Sequence, residues 1–434
     1  MVRKVTLSKT CSLKGRISVP GDKSISHRAV ILGSIAEGTT RIRNFLESDD
    51  CLNTIKAFQS MGLKIEKTGP SEVIVQGRGL YGLSPAPKQI YLGNSGTSMR
   101  LLLGLLSGQK FKSTLTGDES LSNRPMKRVV DPLKTMGALI SGPRGNYAPL
   151  KTGGSKLSGI KYKLPVASAQ VKSALLLAGL YAKGAVKVVE PIICRDHTER
   201  MLKYCGASLK EEKKKKGKEI ILIPGSSLKP MDIDVPGDIS SAAFFIVAGL
   251  IVPRSRVLLK NVGLNPTRTG IIDVLKRMGA HLEIKNRTRV CGEPRGDILV
   301  RSSKLKGVRI SGKIIPRLID ELPIIMVAAC AAQGRTVIKD AAELRVKETD
   351  RITSMAVNLK ALGATLEPAV DGMIIQGSRK LKGTKVKSFG DHRTAMSLAV
   401  AGLIARGRTI IEDTECVNTS FPEFFKLLRS LSAK

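Results

Sequence analysis

Val19-Pro20-Gly21-Asp22-Lys23-Ser24-Ile25-Ser26-His27-Arg28 returns in shortened form as Val235-Pro236-Gly237-Asp238-Ile239-Ser240-Ser241. Both copies lead from a Pro-Gly turn into an apolar, helix-like run, and only the first carries Lys, His and Arg. Two readings are open at this point. One is a common turn met twice. The other is a duplicated scaffold whose first copy took on polar, chemical duties. The rest of the chain separates them.

A small signature recurs along the chain: a helical pattern, a Met-Gly or similar pair, then an alternating strand. It is seen at Met61-Gly62-Leu63, Met136-Gly137-Ala138-Leu139-Ile140, Cys205-Gly206-Ala207, Met278-Gly279-Ala280 and Leu362-Gly363-Ala364. Glycine there suits the left-handed cap that ends a helix before a strand. A second signature precedes each: an apolar helix, a Gly turn and a β-branched strand, as in Ala29-Val30-Ile31-Leu32 before Gly38-Thr39-Thr40. Six units result, each read as helix–strand–helix–strand. The sixth ends on its second helix, around 421–431, and Val5 to Val19 has the strand pattern it lacks. The expected fold class is therefore α/β (mixed α+β), with two similar lobes of three such units each. Residues 21–236 form one lobe. Residues 1–20 with 237–434 form the other, discontinuous one. The Val-Pro-Gly-Asp copies mark hinge crossings near 20–21 and 236–238, so the scaffold reading is preferred. Substrates often sit in the cleft between two such lobes.

The bulk numbers agree with two domains: 434 residues exceed one ordinary core. The formal charge of +36 raises nucleic acid as a partner. Against it, Lys and Arg are scattered along the chain, Trp is absent and aromatics are 3%, which leaves few stacking platforms. The one dense run, Glu211-Glu212-Lys213-Lys214-Lys215-Lys216-Gly217-Lys218, reads as a solvated hairpin tip. Anionic small substrates are the better partners. Seven Cys without a Cys-x-x-Cys pair, and four His, point away from a zinc site or a disulfide framework. The leading Met1-Val2-Arg3-Lys4 segment is not a signal peptide, and the longest apolar run, Ala242 to Val252, is too short to span a membrane. A soluble, cytoplasmic, monomeric protein with no nucleic-acid or membrane partner is expected.

The loops that lead into helices are polar. Lys23 and Ser24 at a helix start, with Arg28 a turn further on, suit a phosphate or carboxylate, though Asp22 or Ser24 could simply cap the helix. Gly93-Asn94-Ser95-Gly96-Thr97-Ser98 lets backbone N–H groups approach an anion but lacks the Gly-Lys ending of a Walker loop. Arg124 stands before Pro125 and suits bidentate anion binding. Ser168, Ala169 and Gln170 offer a hydroxyl and an amide to a polyhydroxylated group, or again a cap. Asp320, in an apolar helix opening, is a candidate base, or a first-turn acid favoured by the helix dipole. Arg345-Val346-Lys347-Glu348-Thr349-Asp350-Arg351 sets Lys347 and Arg351 at i,i+4 spacing, and by default reads as a solvated helix face. Asp391-His392-Arg393 repeats the theme. Several cations on helix openings with two acids suit chemistry that joins small, multiply anionic molecules.

Together these motifs, with Arg195-Asp196-His197-Thr198-Glu199, resemble the 5-enolpyruvylshikimate-3-phosphate (EPSP) synthase family along essentially the whole chain. The resemblance implies two domains of three βαβαββ units each, with a twice-crossed hinge, and transfer of the enolpyruvyl group of phosphoenolpyruvate to the 5-hydroxyl of 3-phosphoshikimate through a tetrahedral adduct. It implies a place in the shikimate pathway to chorismate and the aromatic amino acids, and no metal or organic cofactor. By position, Lys23, Ser24, Arg28, Ser168, Ala169, Gln170, Asp320 and Lys347 would hold 3-phosphoshikimate. Lys23, Gly96, Arg124, Gln170, Arg351 and Arg393 would hold phosphoenolpyruvate. Asp320, Glu348 and Lys23 would be catalytic, Asp320 as base and Glu348 as proton donor. Three positions depart from patterns common in the family: Cys194 for Ser, Glu343 for Asn and Thr419 for Lys. Gly96 implies some sensitivity to glyphosate. The sister family acting on UDP-N-acetylglucosamine fits less well, because Ser24 follows Lys23 and no Cys lies between Cys51 and Cys194.

Overall fold

A computed structural model describes residues 4–378 and 380–432. The leading tripeptide Met1–Arg3, together with Arg379, Ala433 and Lys434, falls within the lobe boundaries above but lies outside the described residues. The chain divides into two compact units. One comprises Gly21–Pro236 with Arg289–Glu293; the other comprises the chain up to Pro20, Gly237–Thr288 and the chain from Pro294 onward. The described strands form six sheets of three or four strands.

The first unit is built on helices Lys23–Ile35, Gly96–Ser107 and Ala169–Gly179. Each starts where a short polar side chain can occupy a free helix N–H. Asp22 accepts from Ile25 N (3.0 Å), Ser95 from Ser98 N (3.1 Å) and Ser168 from Val171 N (3.4 Å). Their middles are apolar on every side, which makes them buried helices. Glycine sets how closely two of them pack: a Cβ on Gly104 would stand 2.3 Å from Ala174 O. Helices Asp49–Ser60, Lys127–Thr135 and His197–Tyr204 present one apolar face inward. The second unit repeats the plan on helices Ile239–Ile251, Leu322–Ala331 and His392–Gly402. Its few aromatics are concentrated: Phe244, Phe245, Phe421 and Phe424 meet at 5.4–5.9 Å between ring centroids and fix the last helix, Phe424–Ser432, to the core.

In each unit, short strands pair in parallel across a buried helix. Ile90–Tyr91 pairs with Lys112–Thr116, and Lys161–Lys163 with Val186–Glu190. In the second unit Arg309–Ile310 pairs with Gly334–Ile338, and Lys385–Lys387 with Arg408–Glu412. The two remaining places are filled by strands far away in sequence but of the same unit. Asp232–Asp234, which leads into the second Val-Pro-Gly-Asp copy, pairs with Glu37–Arg43 of the first unit. Lys14–Ser18, which leads into the first copy, pairs with Arg256–Gly263 of the second. The turns interlock in the same way: Asp22 N donates to Pro236 O (2.8 Å) and Asp238 N to Pro20 O (2.9 Å). The repeated motif is thus the point at which the chain passes from one unit to the other. Val5–Ser8 pairs antiparallel with Arg408–Glu412 in the sixth sheet.

Gly62, Gly137, Gly206, Gly279 and Gly363 all have φ between 85° and 97°, the left-handed cap. The strand expected after Gly137 is not formed. Leu139 N is taken by Ser155 Oγ (2.9 Å), and pairing shrinks to one bridge, Ser141 to Lys151. Gly142 and Pro143 then turn the chain away. The Lys-rich run is a hairpin between Ser208–Lys213 and Lys218–Ile223, but Lys218 at its end is 8% exposed and turned inward, not solvated.

His27 gives a pH test of this core. It is fully buried, shares a 2.8 Å hydrogen bond through Nδ1 with Thr54 Oγ1, and Thr54 in turn meets Ser98 (2.7 Å). Burial pulls its pKa from 6.5 to about 3. Below pH 6.5 the unfolded chain therefore binds a proton that the folded chain excludes, and stability falls as pH drops towards 3. The slope from this group approaches about 1.4 kcal/mol per pH unit. Urea midpoints measured at pH 7 and pH 4.5 should converge in His27→Gln relative to the parent; an unchanged difference counts against the assignment.

Candidate active site

The polar residues singled out from the sequence fall into two sets, one in each unit. In the first unit, Arg28 is 5% exposed, and its guanidinium is fixed on three sides. Nε donates to Thr198 Oγ1 (2.7 Å), Nη2 to Ser173 Oγ (2.9 Å) and Nη1 to Ser24 O (2.9 Å). Ser173 also donates to Ala169 O (2.6 Å), which ties Arg28 to the helix opening at Ser168, Ala169 and Gln170. Gln170 Oε1 accepts from Arg100 Nη1 (2.8 Å), Gln170 Nε2 donates to Thr97 Oγ1 (3.1 Å), and Arg100 reaches back to Gly96 O (3.2 Å). A Cβ on Gly96 would stand 2.7 Å from Arg100 Nη1 and 3.5 Å from Arg124 Nη1. Arg124 is aimed by Asn94 Oδ1 (2.5 Å) and Ser120 Oγ (3.1 Å). Lys23 forms an ion pair with Asp50 and keeps 28% of its side chain exposed. Hydrogen bonds thus join Ser24, Arg28 and Ala169 through Ser173, Gly96 and Gln170 through Arg100, and Gly96 and Arg124 through Asn94, while Ala169 and Gln170 are chain neighbours. Three helix N-termini with several cations beside them are chemistry that suits an anion.

Behind Arg28 lies a charge cluster with no counterpart in the sequence reading. Lys172 and Glu199 neighbour Ser173 and Thr198 in sequence and are wholly buried. The Lys172 ammonium sits 2.6 Å from both Glu199 and Glu190, and Lys218 lies 3.4 Å from Glu199 and 2.8 Å from Glu211. Burial works to lower the Lys172 pKa, and Glu199 with Glu190 outweighs it, so the amine is held well above the ordinary lysine range. Cys194, the departure from Ser, donates its thiol to Glu190 Oε1 (2.7 Å), and burial pushes that thiol pKa up, so it remains a donor.

In the second unit the centre is Arg351, 1% exposed. Its Nε lies 2.8 Å from Asp391 Oδ2, its Nη2 2.5 Å from Glu348 Oε2 and its Nη1 3.4 Å from Asp320 Oδ1. Both candidate acid–base carboxylates therefore rest on one guanidinium. Lys347 Nζ stands 3.7 Å from Asp320 and 3.1 Å from Glu343, the position that departs from Asn. Arg393 Nη1 donates to Asp320 O (3.2 Å). Burial would raise the Glu348 pKa, but Arg351, His392 and Lys347 hold it far below the usual range. Its side chain keeps 35% of its surface open to an incoming group. Burial, with Arg393 beside it, lowers the His392 pKa to about 4, so this imidazole is neutral near pH 7.

The stretch 345–351 is not the solvated helix face expected of it. The helix begins at Arg351, because Asp350 caps it by accepting from Ile352 N and Thr353 N (both 3.0 Å). Lys347 and Glu348 lie in the preceding loop, and Arg351 points into the core. Thr419, the third departure, donates its hydroxyl to Cys416 O (2.7 Å) inside a short turn. Arg100, Ser173, Thr198 and Asp391 were not assigned roles from the sequence. Thr198 and Asp391 lie inside quoted motifs, Arg100 stands two residues beyond the Gly93–Ser98 loop, and Ser173 follows Ala169 by one helical turn.

Comparison with known proteins follows the same lines. Residues 7–428 match the family described as EPSP synthase (3-phosphoshikimate 1-carboxyvinyltransferase). The chain is 54% identical to the 3-phosphoshikimate 1-carboxyvinyltransferase of Geobacter sulfurreducens over 98% of both chains, and 56% identical to that of Citrifermentans bemidjiense, again over 98% of both. It is similar to a solved structure of EPSP synthase from Acinetobacter baumannii, with 48% identity and a TM-score of 0.90 over 99% of this chain and 98% of the other. No described helix is long and apolar enough to cross a membrane.

Proposed function

The chain belongs to the EPSP synthase family, and from that premise we propose that it transfers the enolpyruvyl group of phosphoenolpyruvate to the 5-hydroxyl of 3-phosphoshikimate, releasing phosphate. The observation that carries this reading is the sharing of Arg351 by Asp320, Glu348 and Asp391. Two acids of opposite duty must be kept in place, and an anionic substrate must be able to enter between them.

Lys23, Ser24, Arg28, Ser168, Ala169 and Gln170, with Asp320 and Lys347, hold 3-phosphoshikimate. Lys23, Gly96, Arg124, Gln170, Arg351 and Arg393 hold phosphoenolpyruvate. Asp320 takes the proton of the 5-hydroxyl as its oxygen bonds to C2 of phosphoenolpyruvate, and Glu348 protonates C3, giving a tetrahedral adduct. The adduct then loses a C3 proton, the C2–O bond to phosphate breaks, and the double bond is restored. Arg351 beside it keeps the Glu348 carboxyl ionised. A substrate anion on Arg351 competes for that cation and raises the carboxyl towards the range where it can give a proton. Fixed cations around developing negative charge supply a large part of such catalysis. The two lobes, joined near 20–21 and 236–238, act as a monomer in the cytoplasm on small anions, without nucleic acid or membrane. The unit boundaries at Pro20/Gly21 and Pro236/Gly237 support that division.

The test is phosphate release from phosphoenolpyruvate with 3-phosphoshikimate, set against UDP-N-acetylglucosamine. Release is expected with the first alone, and its absence overturns the reading. Gly96 carries no side chain to crowd Arg100 and Arg124, whose Nη1 atoms would stand 2.7 and 3.5 Å from a Cβ there, so inhibition by glyphosate is expected; unchanged activity at a large excess counts against that placement of phosphoenolpyruvate.

A further inference from the structure

Asp320 and Glu321 are neighbours in the turn Ile319–Glu321, which opens helix Leu322–Ala331. Their side chains have different surroundings. Asp320 keeps 15% of its side chain exposed and lies near Arg351 and Lys347, while Glu321 is 1% exposed. Glu321 Oε1 accepts from Ser240 Oγ. The same hydroxyl accepts from Arg268 Nη2 (2.7 Å), which also lies 3.2 Å from Asp238 Oδ1. Asp238 caps helix Ile239–Ile251 through Ser240 N (2.9 Å). Arg268 is 3% exposed.

This chain of charges is buried beside two helices that are almost wholly apolar, Ile239–Ile251 and Leu322–Ala331. Burying a carboxylate and a guanidinium there is costly, and well-packed apolar side chains would serve the fold as well or better. What the polar chain adds is direction. It fixes the residue after Asp320, while Arg393 fixes the Asp320 carbonyl and Arg351 its carboxylate.

We propose that Glu321 is a positioning residue for Asp320, anchored by Ser240 of the second Val-Pro-Gly-Asp copy and, through it, by Arg268. The inference rests on Asp320 being the base. The second copy of the motif then does more than turn and cap: it holds the segment that carries the base, as the first copy carries Lys23, Ser24 and Arg28.

The experiment compares kcat and KM for both substrates in Glu321→Gln, Ser240→Ala, Ser240→Thr and the double variant Ser240→Ala/Glu321→Gln, with urea midpoints for each. Glu321→Gln preserves shape but removes the charge; Ser240→Ala removes the donor. Each is expected to lower kcat about tenfold or more at full folding, since small misplacements of a reacting group are expensive, with KM for phosphoenolpyruvate changed less than about twofold. Ser240→Thr should recover most of the loss, and the double variant should lose no more than the worse single. A kcat within twofold of the parent in both single variants, or a loss that only follows the unfolded fraction, overturns the proposal. Asp320→Asn is the separate arm: if it remains active, the assignment of the base fails, whatever Glu321 does.

Discussion

Arg351→Ala is expected to lower turnover by about 10³-fold or more, because it removes the shared partner of both carboxylates proposed to react and a cation proposed to hold phosphoenolpyruvate. Arg351→Lys should recover little. An ammonium is a point charge and cannot meet Asp391, Glu348 and Asp320 from three sides as the planar guanidinium does. The alanine variant also leaves Asp391 buried without this partner, so folding must be measured alongside activity. The lysine variant keeps a charge there and separates the two effects. Initial-rate assays with a urea titration of each variant decide it. A folded Arg351→Lys protein with turnover within tenfold of the parent would show that the three-way geometry is not needed.

The second large effect concerns stability. Lys172→Met should cost about 3–5 kcal/mol, because it leaves Glu190 and Glu199 in the interior without their nearest cation, with Lys218 farther off and the Cys194 thiol on Glu190. Against a typical total of about 5–15 kcal/mol, that is enough to lower the urea midpoint sharply. Removing the charges together, as in Lys172→Met/Glu199→Gln, should cost less than Lys172→Met alone. Because Glu199 and Lys172 adjoin the hydroxyls that grip Arg28, KM for 3-phosphoshikimate should rise in whatever protein remains folded. A loss below about 1 kcal/mol for the single variant would mean that the cluster is solvated or relaxes freely.

Much of this molecule is written locally. The helix starts at Asp22, Ser95, Ser168 and Asp238 are capping chemistry, and each can be recognised from a few residues. The left-handed glycines follow from the need to end a helix before a strand, and their even spacing reveals the repeats. The candidate cations stand at helix openings because that is where free N–H groups favour anions, so Lys23, Arg28 and Arg124 are visible from position alone. Where local pattern misled, a distant partner had intervened. The strand after Gly137 yields to Ser155, and the apparent surface run at 345–351 turns inward because Arg351 finds Asp391, forty residues on.

The repeat, its helix caps and the types of residue at each opening were settled by neighbours along the chain, since capping and periodicity act over one or two turns. The partners of the buried charges were not. Arg28 with Thr198, Lys172 with Glu190 and Glu199, Glu321 with Ser240 and Arg351 with Asp391 are pairings across tens of residues. Each charge could have been solvated as far as composition tells. Only the packing of the three-helix cores removes water from them, and with water gone each must have a fixed partner.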